Sequence, residues 1–236
     1  MEISFTQLRV YLECPWKYKL FFIDRQRIAP TPASSLGTVI HRTLERYHRA
    51  GAPGLEDLLG FYDREWLRSS FSSAETERQW RLKGERILRR YSEYDAARRT
   101  EIIGMEREFV YPLGEHHVRG MIDRIDRHPD GRCEILDYKT QMEPGTEDQV
   151  RDDLQLRFYA LGARESLALE PSTLTIHYLA SGKTVSAAYD SSGEKALKGL
   201  ILETADKIAA GAFKADTNFC PRCGFKDACR FSAVRP

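Results

Sequence analysis

The sequence lacks an apolar run of the length that spans a bilayer, about 20 residues. It also lacks a positively charged start, because Glu2 stands in the opening segment MEISFTQLRVYLECP where a secretory signal peptide carries basic residues. We therefore expect a cytoplasmic protein without a membrane partner. Hydrophobic residues make up 42% of the 236 residues, which predicts a packed globular core and argues against a disordered chain.

The sequence has almost no excess of charge, since 36 Lys and Arg face 35 Asp and Glu. A nucleic-acid surface would therefore have to come from local segregation of basic residues. Residues 78–99 are such a segment, with eight Lys or Arg interleaved with Trp80, Tyr91 and Tyr94. Cations and aromatic rings together suit single-stranded DNA. A solvated helix with a few buried aromatic residues explains the segment equally well.

Several common catalytic signatures are absent. HExxH and GxSxG do not occur, which removes the commonest metalloprotease and serine-hydrolase readings. Gly182-Lys183-Thr184 looks like the end of a nucleotide-binding loop, but His177 stands where the first glycine is required. We therefore expect no ATPase motor, and any helicase would be a separate polypeptide.

Five cysteines occur, an odd number that fits a disulfide framework poorly. Three of them form Cys220-x2-Cys223-x5-Cys229, a spacing typical of a soft-metal or iron-sulfur site. Cys14 is the candidate for a fourth thiolate, because it ends a helix-like segment, whereas Cys133 lies inside an apparent hairpin. On spacing alone, zinc and an iron-sulfur cluster both stay open, and a zinc-ribbon-like knuckle is the simplest alternative.

The apolar periodicity predicts a helical first part, then strands, then a helix, two strands and a last helix. Ser4-Phe5-Thr6-Gln7 has the form of a capping box and predicts a short helix over 4–14. The further predicted helices cover 35–50, 55–70, 75–99, 146–168 and 192–210, and the predicted strands cover 106–113, 118–126, 132–140, 173–180 and 183–190.

One predicted hairpin carries candidate chemistry. Residues 128–132 read His-Pro-Asp-Gly-Arg, which suits a type I turn that ends in a left-handed glycine. Centring the loop on residue 130 pairs positions whose numbers sum to 260, so Asp123 lies opposite Asp137. Side chains alternate along a strand, so Lys139 lies on the same face as Asp137. Two facing carboxylates repel each other unless a cation compensates them.

A divalent cation would turn this hairpin into a hydrolytic site. Mg²⁺ takes one or two carboxylates together with water and phosphate oxygens, and it lowers the pKa of bound water. Lys139 would orient that water or neutralise the charge that develops on the phosphorane. Taken alone, an Asp-x-Lys triplet is most often a hairpin with charged, solvent-facing side chains.

The segments GMIDRID and EILDYKT resemble the RecB-type branch of the PD-(D/E)xK nuclease superfamily, in which two such strands form the catalytic hairpin. Gly37-x3-His41 resembles the metal-binding helix motif of that branch. Gln155-x3-Tyr159 resembles its motif on the helix after the catalytic strand. The resemblance implies a restriction-endonuclease-like α/β core with a mixed central sheet flanked by helices.

The cysteines add to the resemblance. Cys14 with the three C-terminal cysteines resembles the split cysteine set of the iron-sulfur subgroup, seen in the AddB nuclease domain and in CRISPR-associated RecB-like nucleases. The resemblance implies one nuclease domain over 1–236, with a mainly helical part over 1–100, a catalytic core over 101–210 and a cluster-binding tail over 211–236. It also implies a structural 4Fe-4S cluster held by Cys14, Cys220, Cys223 and Cys229.

The resemblance further implies the residues of the active site. His41, Asp123 and Asp137 would bind Mg²⁺ or Mn²⁺, with the carbonyl group of Tyr138 as a further ligand, and Lys139 would be the catalytic lysine.

The same resemblance gives Gln155 and Tyr159 a role, one helical turn apart, in holding the DNA phosphate backbone or the lysine. For Tyr159, ordinary core packing is the alternative.

The function that the resemblance implies is a metal-dependent DNA nuclease, an exonuclease acting on single-stranded ends. A narrower hypothesis is a CRISPR-adaptation nuclease that trims spacer precursors beside an integrase. Roles in DNA repair, with a helicase partner, or in antiviral defence fit the same chemistry. The hypothesis from another class is a catalytically silent DNA-binding scaffold with the same fold.

Overall fold

The computed structural model describes residues 1–68, 70–140 and 143–234. No helix in those three ranges is both long and apolar enough to cross a membrane. Contacts between residues divide the chain into two compact units. Unit 1 comprises Met1–Ala29, Val110–Gly120 and Ser191–Pro236, and unit 2 comprises Pro30–Phe109 and Met121–Asp190. The expectation of one nuclease domain over 1–236 stays a prediction.

The elements follow the predicted order and confirm the α/β class. The helices are α1 (Phe5–Glu13), α2 (Pro15–Tyr18), α3 (Pro32–Arg49), α4 (Leu55–Glu65), α5 (Ala74–Ala97), α6 (Glu147–Arg151), α7 (Leu154–Leu167) and α8 (Glu194–Ala209). The strands are β1 (Glu2–Ser4), β2 (Glu101–Leu113), β3 (His116–Arg127), β4 (Cys133–Lys139), β5 (Pro171–Tyr178) and β6 (Lys183–Ala188). A π-helical turn covers Lys19–Ile23, and a 3-10 turn covers Thr217–Arg222.

Unit 2 is built on a mixed sheet, as expected. Within it, β3 pairs antiparallel with β4, β4 pairs parallel with β5, and β5 pairs antiparallel with β6. The predicted register is confirmed, because Arg124 pairs with Leu136 and Ile125 with Ile135. The turn is as predicted too: Gly131 has φ +87°, and its N–H donates to the carbonyl oxygen of His128 at 2.9 Å.

The apolar core of unit 2 is formed by buried side chains of helices α3, α4 and α5 together with two side chains of β4. Its β4 members are Leu136 and Tyr138, which are 0% and 3% exposed. The helical members are Leu36, Val39, Ile40, Leu44, Tyr47, Leu58, Tyr62, Ile87, Leu88 and Tyr91. Burying one face of α3 against this cluster fixes the rotation of the helix, and with it the direction of His41.

Unit 1 begins with the predicted capping box. The Ser4 side chain accepts a hydrogen bond from the N–H of Gln7, and the Gln7 side chain accepts from the N–H of Ser4. Strand β1, which the sequence did not predict, pairs parallel with the start of β3, with Ile3 opposite Val118. The hydroxyl of Tyr11 donates to the carbonyl oxygen of Ala212 at 2.5 Å, which ties α1 to the segment after α8.

Three departures from the predicted helices have local reasons. Pro15 begins helix α2 after an extended Cys14, since proline is well suited to the first helical position. Helix α3 begins three residues earlier than predicted, capped by Thr31 instead of a serine. The predicted helix over 146–168 divides into α6 and α7, because Asp153 leaves the helical conformation and caps α7 by accepting from the N–H of Leu156.

Candidate active site

The two carboxylates of the β3–β4 hairpin lie one step beyond the last registered pair. Both are buried: Asp123 is 6% exposed and Asp137 is 1% exposed. The backbone N–H of Tyr138 donates to Asp123 Oδ2 at 2.9 Å. This hydrogen bond fixes one carboxylate against the strand that carries the other.

Helix α3 brings His41 to the same place. Its Nδ1 atom lies 3.5 Å from Asp123 Oδ2 and 3.7 Å from Glu106 Oε1. Its Nε2 atom lies 3.1 Å from the carbonyl oxygen of Tyr138. The structure therefore brings together the His41 ring, the Asp123 carboxylate and the Tyr138 carbonyl group, which the resemblance had grouped as ligands. At Gly37, one turn earlier, an added Cβ would lie 3.6 Å from the Thr140 side chain, an ordinary contact.

Glu106 is a site residue that the sequence analysis missed. Among the described residues, His41, Glu106 and Asp123 form the one group of three potential metal donors whose donor atoms all lie within 4.8 Å of one another. Glu106 lies in β2 with φ +42°, a left-handed conformation that is unusual for a residue other than glycine. A signal was available: pairing β2 with β3 about the short turn at Gly114 gives partners whose numbers sum to 229, which sets Glu106 opposite Asp123.

The electrostatics of the group are those of crowded carboxylates. Burial, and then the neighbouring Asp123 carboxylate, raise the pKa of Asp137 to about 7. Burial likewise raises the pKa of Asp123. Burial alone would lower the pKa of His41, but Asp123, Glu106 and Asp137 raise it to about 9. Protons on His41 and Asp137 therefore offset part of the repulsion between the carboxylates. A divalent cation would meet oxygen and nitrogen donors that suit it.

Lys139 is held from two sides. Its Nζ lies 2.7 Å from Asp137 Oδ2 and donates to Gln155 Oε1 at 2.7 Å. Gln155 Nε2 in turn donates to the Tyr159 hydroxyl at 2.9 Å. Gln155 thus contacts the lysine, which is one of the two partners that the resemblance allowed for the pair on α7. Tyr159 is also 8% exposed, so it packs in the interior as well.

The side chain of Tyr138 points to the opposite face of the hairpin. Its hydroxyl lies 2.9 Å from the Tyr91 hydroxyl on α5, and Arg124 Nη1 donates to that Tyr91 hydroxyl at 3.1 Å. The backbone of Tyr138 thus faces the carboxylates while its ring is anchored behind them.

Residues 2–230 match the family profile of the PD-(D/E)XK nuclease superfamily. The chain belongs to that superfamily. Membership implies metal-dependent nuclease activity on DNA, and such nucleases typically use Mg²⁺ or Mn²⁺.

Comparisons with individual proteins add little to the superfamily assignment. No curated protein sequence matches this PD-(D/E)XK chain. The crystal structure of SSO0001 is 14% identical, with 83% of this chain and 84% of that one covered and a TM-score of 0.40. Protein VC1899 from Vibrio cholerae is 13% identical, with 88% and 58% covered and a TM-score of 0.26. Likenesses this weak carry no argument about function.

Unit 1 of this PD-(D/E)XK protein contains a second candidate site, which is formed by cysteines. Four cysteines, Cys14, Cys220, Cys223 and Cys229, line one pocket whose walls include aromatic side chains. The N–H of Asp216 donates to the sulfur of Cys14 at 3.3 Å. The structure therefore brings together the four thiols that the sequence grouped. Cys133 lies buried in β4, as expected of an ordinary strand residue.

Proposed function

We propose that the protein is a Mg²⁺- or Mn²⁺-dependent DNA exonuclease of the RecB-like, iron-sulfur branch, acting on single-stranded ends. The observation that carries the proposal is the compact donor group of His41, Glu106 and Asp123, which adjoins the Asp137–Lys139 ion pair. Superfamily membership supplies the nuclease chemistry, and the branch, the strand preference and the cluster are the finer parts of the proposal.

In this proposal the metal is held by His41, Asp123, Asp137 and the Tyr138 carbonyl group, and Glu106 is an added carboxylate ligand. The donor set fits a hard divalent cation, because three carboxylates share a site with only one imidazole and one lysine. When bound, such a cation supplies Lewis-acid chemistry, neutralising phosphate charge and making water a better nucleophile.

Lys139 is the proposed catalytic lysine. Its ammonium group, positioned by the Gln155 side chain, would orient the attacking water and stabilise the charge that develops on the phosphorane oxygens. Asp137 keeps that ammonium group protonated, since burial alone would lower the pKa of Lys139 but Asp137 raises it. Tyr159 acts one step further out, by orienting the amide of Gln155.

The four cysteines are proposed to hold a structural 4Fe-4S cluster. All four cysteines line one pocket, and four thiolates are the donor set that such a cluster takes. Such a cluster would enclose the 205 residues between Cys14 and Cys220, which restricts the unfolded chain.

The cluster proposal is tested on protein prepared without oxygen. We expect a brown protein with about four iron atoms per chain and visible absorbance that is lost in Cys223→Ala but kept in Cys133→Ala. A colourless protein with stoichiometric zinc would contradict the cluster and leave the nuclease proposal untouched.

The activity is tested by digesting end-labelled linear, end-blocked and circular DNA, single- and double-stranded, with each metal. We expect linear single strands to be shortened from an end and circles to stay intact. Lys139→Met should lose activity, whereas Lys183→Met, an exposed lysine of the same unit, should keep it. Intact DNA with the parent protein would favour the silent scaffold, and equal cutting by Lys139→Met would remove Lys139 from the catalytic role. The CRISPR-adaptation version and the helicase partner stay predictions.

A further inference from the structure

The basic segment of α5 gathers three of its cations around one cavity. A cavity of about 280 Å³ is lined by Lys83, Arg86, Ile87 and Arg90 of α5 and by Ala180, which follows β5. The three cations recur at helical spacing, so they share one face of the helix. The structure thus separates these three from the other basic residues of the segment.

These cations have no acidic partner in the part of the chain that the structure describes. Within the described residues, none of Lys83, Arg86 and Arg90 has a carboxylate at ion-pair distance. Other arginines of the segment are neutralised: Arg81 pairs with Asp63 at 2.6 Å, and Arg98 pairs with a buried aspartate. Three unpaired positive charges around one cavity repel one another, and an anion in the cavity would relieve that repulsion.

Arg90 is held in place before any ligand arrives. Its Nη1 donates to the carbonyl oxygen of Ala180. Its aliphatic stem packs against Gly182, where an added Cβ would lie 2.2 Å from the Arg90 Cδ atom. Gly182 has φ +74°, so the turn between β5 and β6 requires glycine both for its conformation and for the approach of Arg90. A fixed guanidinium group loses less conformational entropy on binding than a free one.

We propose that this cavity binds one non-scissile phosphate of a single-stranded DNA substrate. The proposal rests on the nuclease function proposed above. Guanidinium groups match the geometry of phosphate oxygens, and a lysine adds a compact charge. The exposed setting of Arg86 and Arg90 suits a backbone phosphate that remains attached to a chain on both sides. The cavity would hold the strand in register while the metal site cleaves elsewhere along it.

The test compares two double variants of equal charge change on the same helix. Lys83→Gln/Arg86→Gln removes cavity cations, and Arg78→Gln/Arg89→Gln removes exposed arginines that do not line the cavity. Binding of a fluorescent oligothymidine is measured by anisotropy in EDTA over a range of salt concentrations. We expect the cavity variant to bind about fivefold more weakly and its slope of log affinity against log salt to fall by about 0.7, the value for one phosphate of a single strand. The control variant should stay within about twofold of the parent.

Other outcomes of the binding measurement overturn the proposal. Equal losses in the two double variants would mean that net charge alone acts. No loss in either, or a parent that does not bind the oligonucleotide, would remove the cavity as a DNA site. An oligonucleotide with a 5′-phosphate that binds far better than one without would assign the cavity to a terminal phosphate instead. Cleavage with Mn²⁺ is measured in parallel, so a parent that binds through the cavity without cutting refutes the nuclease function and leaves the cavity standing.

Discussion

The two faces of the β3–β4 hairpin both bury carboxylates, but they neutralise them differently. On the back face, Arg124 donates to Asp126 at 2.7 Å, and Arg98 pairs with Asp126 at 2.7 Å. Burial alone would raise the pKa of Asp126, but the hydrogen bonds from Arg124 lower it. On the front face, burial and Asp123 raise the pKa of Asp137 to about 7. The back face is complete as folded, whereas the front face is short of positive charge.

The partners of a buried acid indicate whether it stabilises the fold or takes part in chemistry. Back-face acids have partners fixed by the chain itself: Glu134 accepts from the Thr175 hydroxyl at 2.5 Å and lies 2.9 Å from His128 Nε2. Front-face acids are balanced by shared protons and one lysine. A site whose carboxylates have raised pKa values is a candidate for function, and the cation proposed above would be the missing partner here.

The largest expected effect is on the front face. Asp137→Asn should lower nuclease activity about a thousandfold, because it removes a proposed ligand and the partner of Lys139. The metal-free variant should be at least as stable as the parent, since a crowded buried charge disappears. Activity assays and denaturant unfolding check both halves, with Asp130→Asn in the exposed turn as control. If the variant unfolds at a lower denaturant concentration than the parent, Asp137 stabilises the fold instead.

The matching change on the back face should act on folding. Arg124→Met leaves Asp126 buried without its main partner, which we expect to lower the free energy of unfolding by about 3–5 kcal/mol. Arg127→Met, on the same strand and half exposed, should cost at most about 0.5 kcal/mol. Urea unfolding of the two variants measures the difference. Equal losses of unfolding free energy in the two variants would contradict the distinction between the two faces.

The pH dependence of metal binding also distinguishes the front face of the hairpin from the back face. Folded-state pKa values are raised from 3.8 to about 7 for Asp137 and from 6.5 to about 9 for His41. Ionisation of Asp137 therefore destabilises the metal-free protein as pH rises from about 4 to 7, and the stabilisation from protonated His41 is lost as pH rises through 9. A metal must displace these protons, so Mn²⁺ affinity should rise about tenfold per pH unit between pH 7 and 8.5. Calorimetry in buffers of different ionisation enthalpy counts the protons released, and a flat profile would contradict the assignment.

The smallest effect concerns Glu106, the site residue that was not predicted. Glu106→Gln should weaken Mn²⁺ binding about tenfold, because one of the clustered donors is lost. Glu108→Gln, an exposed neighbour on the same strand, serves as the matched control and should bind as the parent does. Calorimetric titration of the metal distinguishes them without reference to activity. Equal affinities would leave Glu106 outside the coordination sphere.

The sequence could predict what depends on local rules. The register of the β3–β4 hairpin followed from the turn at Gly131, and so placed Asp123 and Asp137 on one face. Gln155 and Tyr159 were proposed from the family resemblance, and their separation of one helical turn predicted only that they share a face of α7.

What escaped prediction depends on contacts distant in sequence or on a restart of the chain. Glu106 was missed because the alternation pattern of β2 does not distinguish one acidic residue from another. Its position is distinguished only by the pairing of β2 with β3. Helix α2 was missed because Pro15 was interpreted as a stop, although it begins the helix. The three cavity cations of α5 look like their neighbours until the turn at Gly182 is seen to approach Arg90.

The left-handed backbone at Glu106 places fold and activity in competition. A side chain other than glycine costs roughly 1 kcal/mol in that region, so Glu106→Gly would relax the strand while deleting a carboxylate that crowds the site. Selection for heat resistance alone should therefore favour Glu106→Gly, which would give a more stable protein that binds the proposed metal less well.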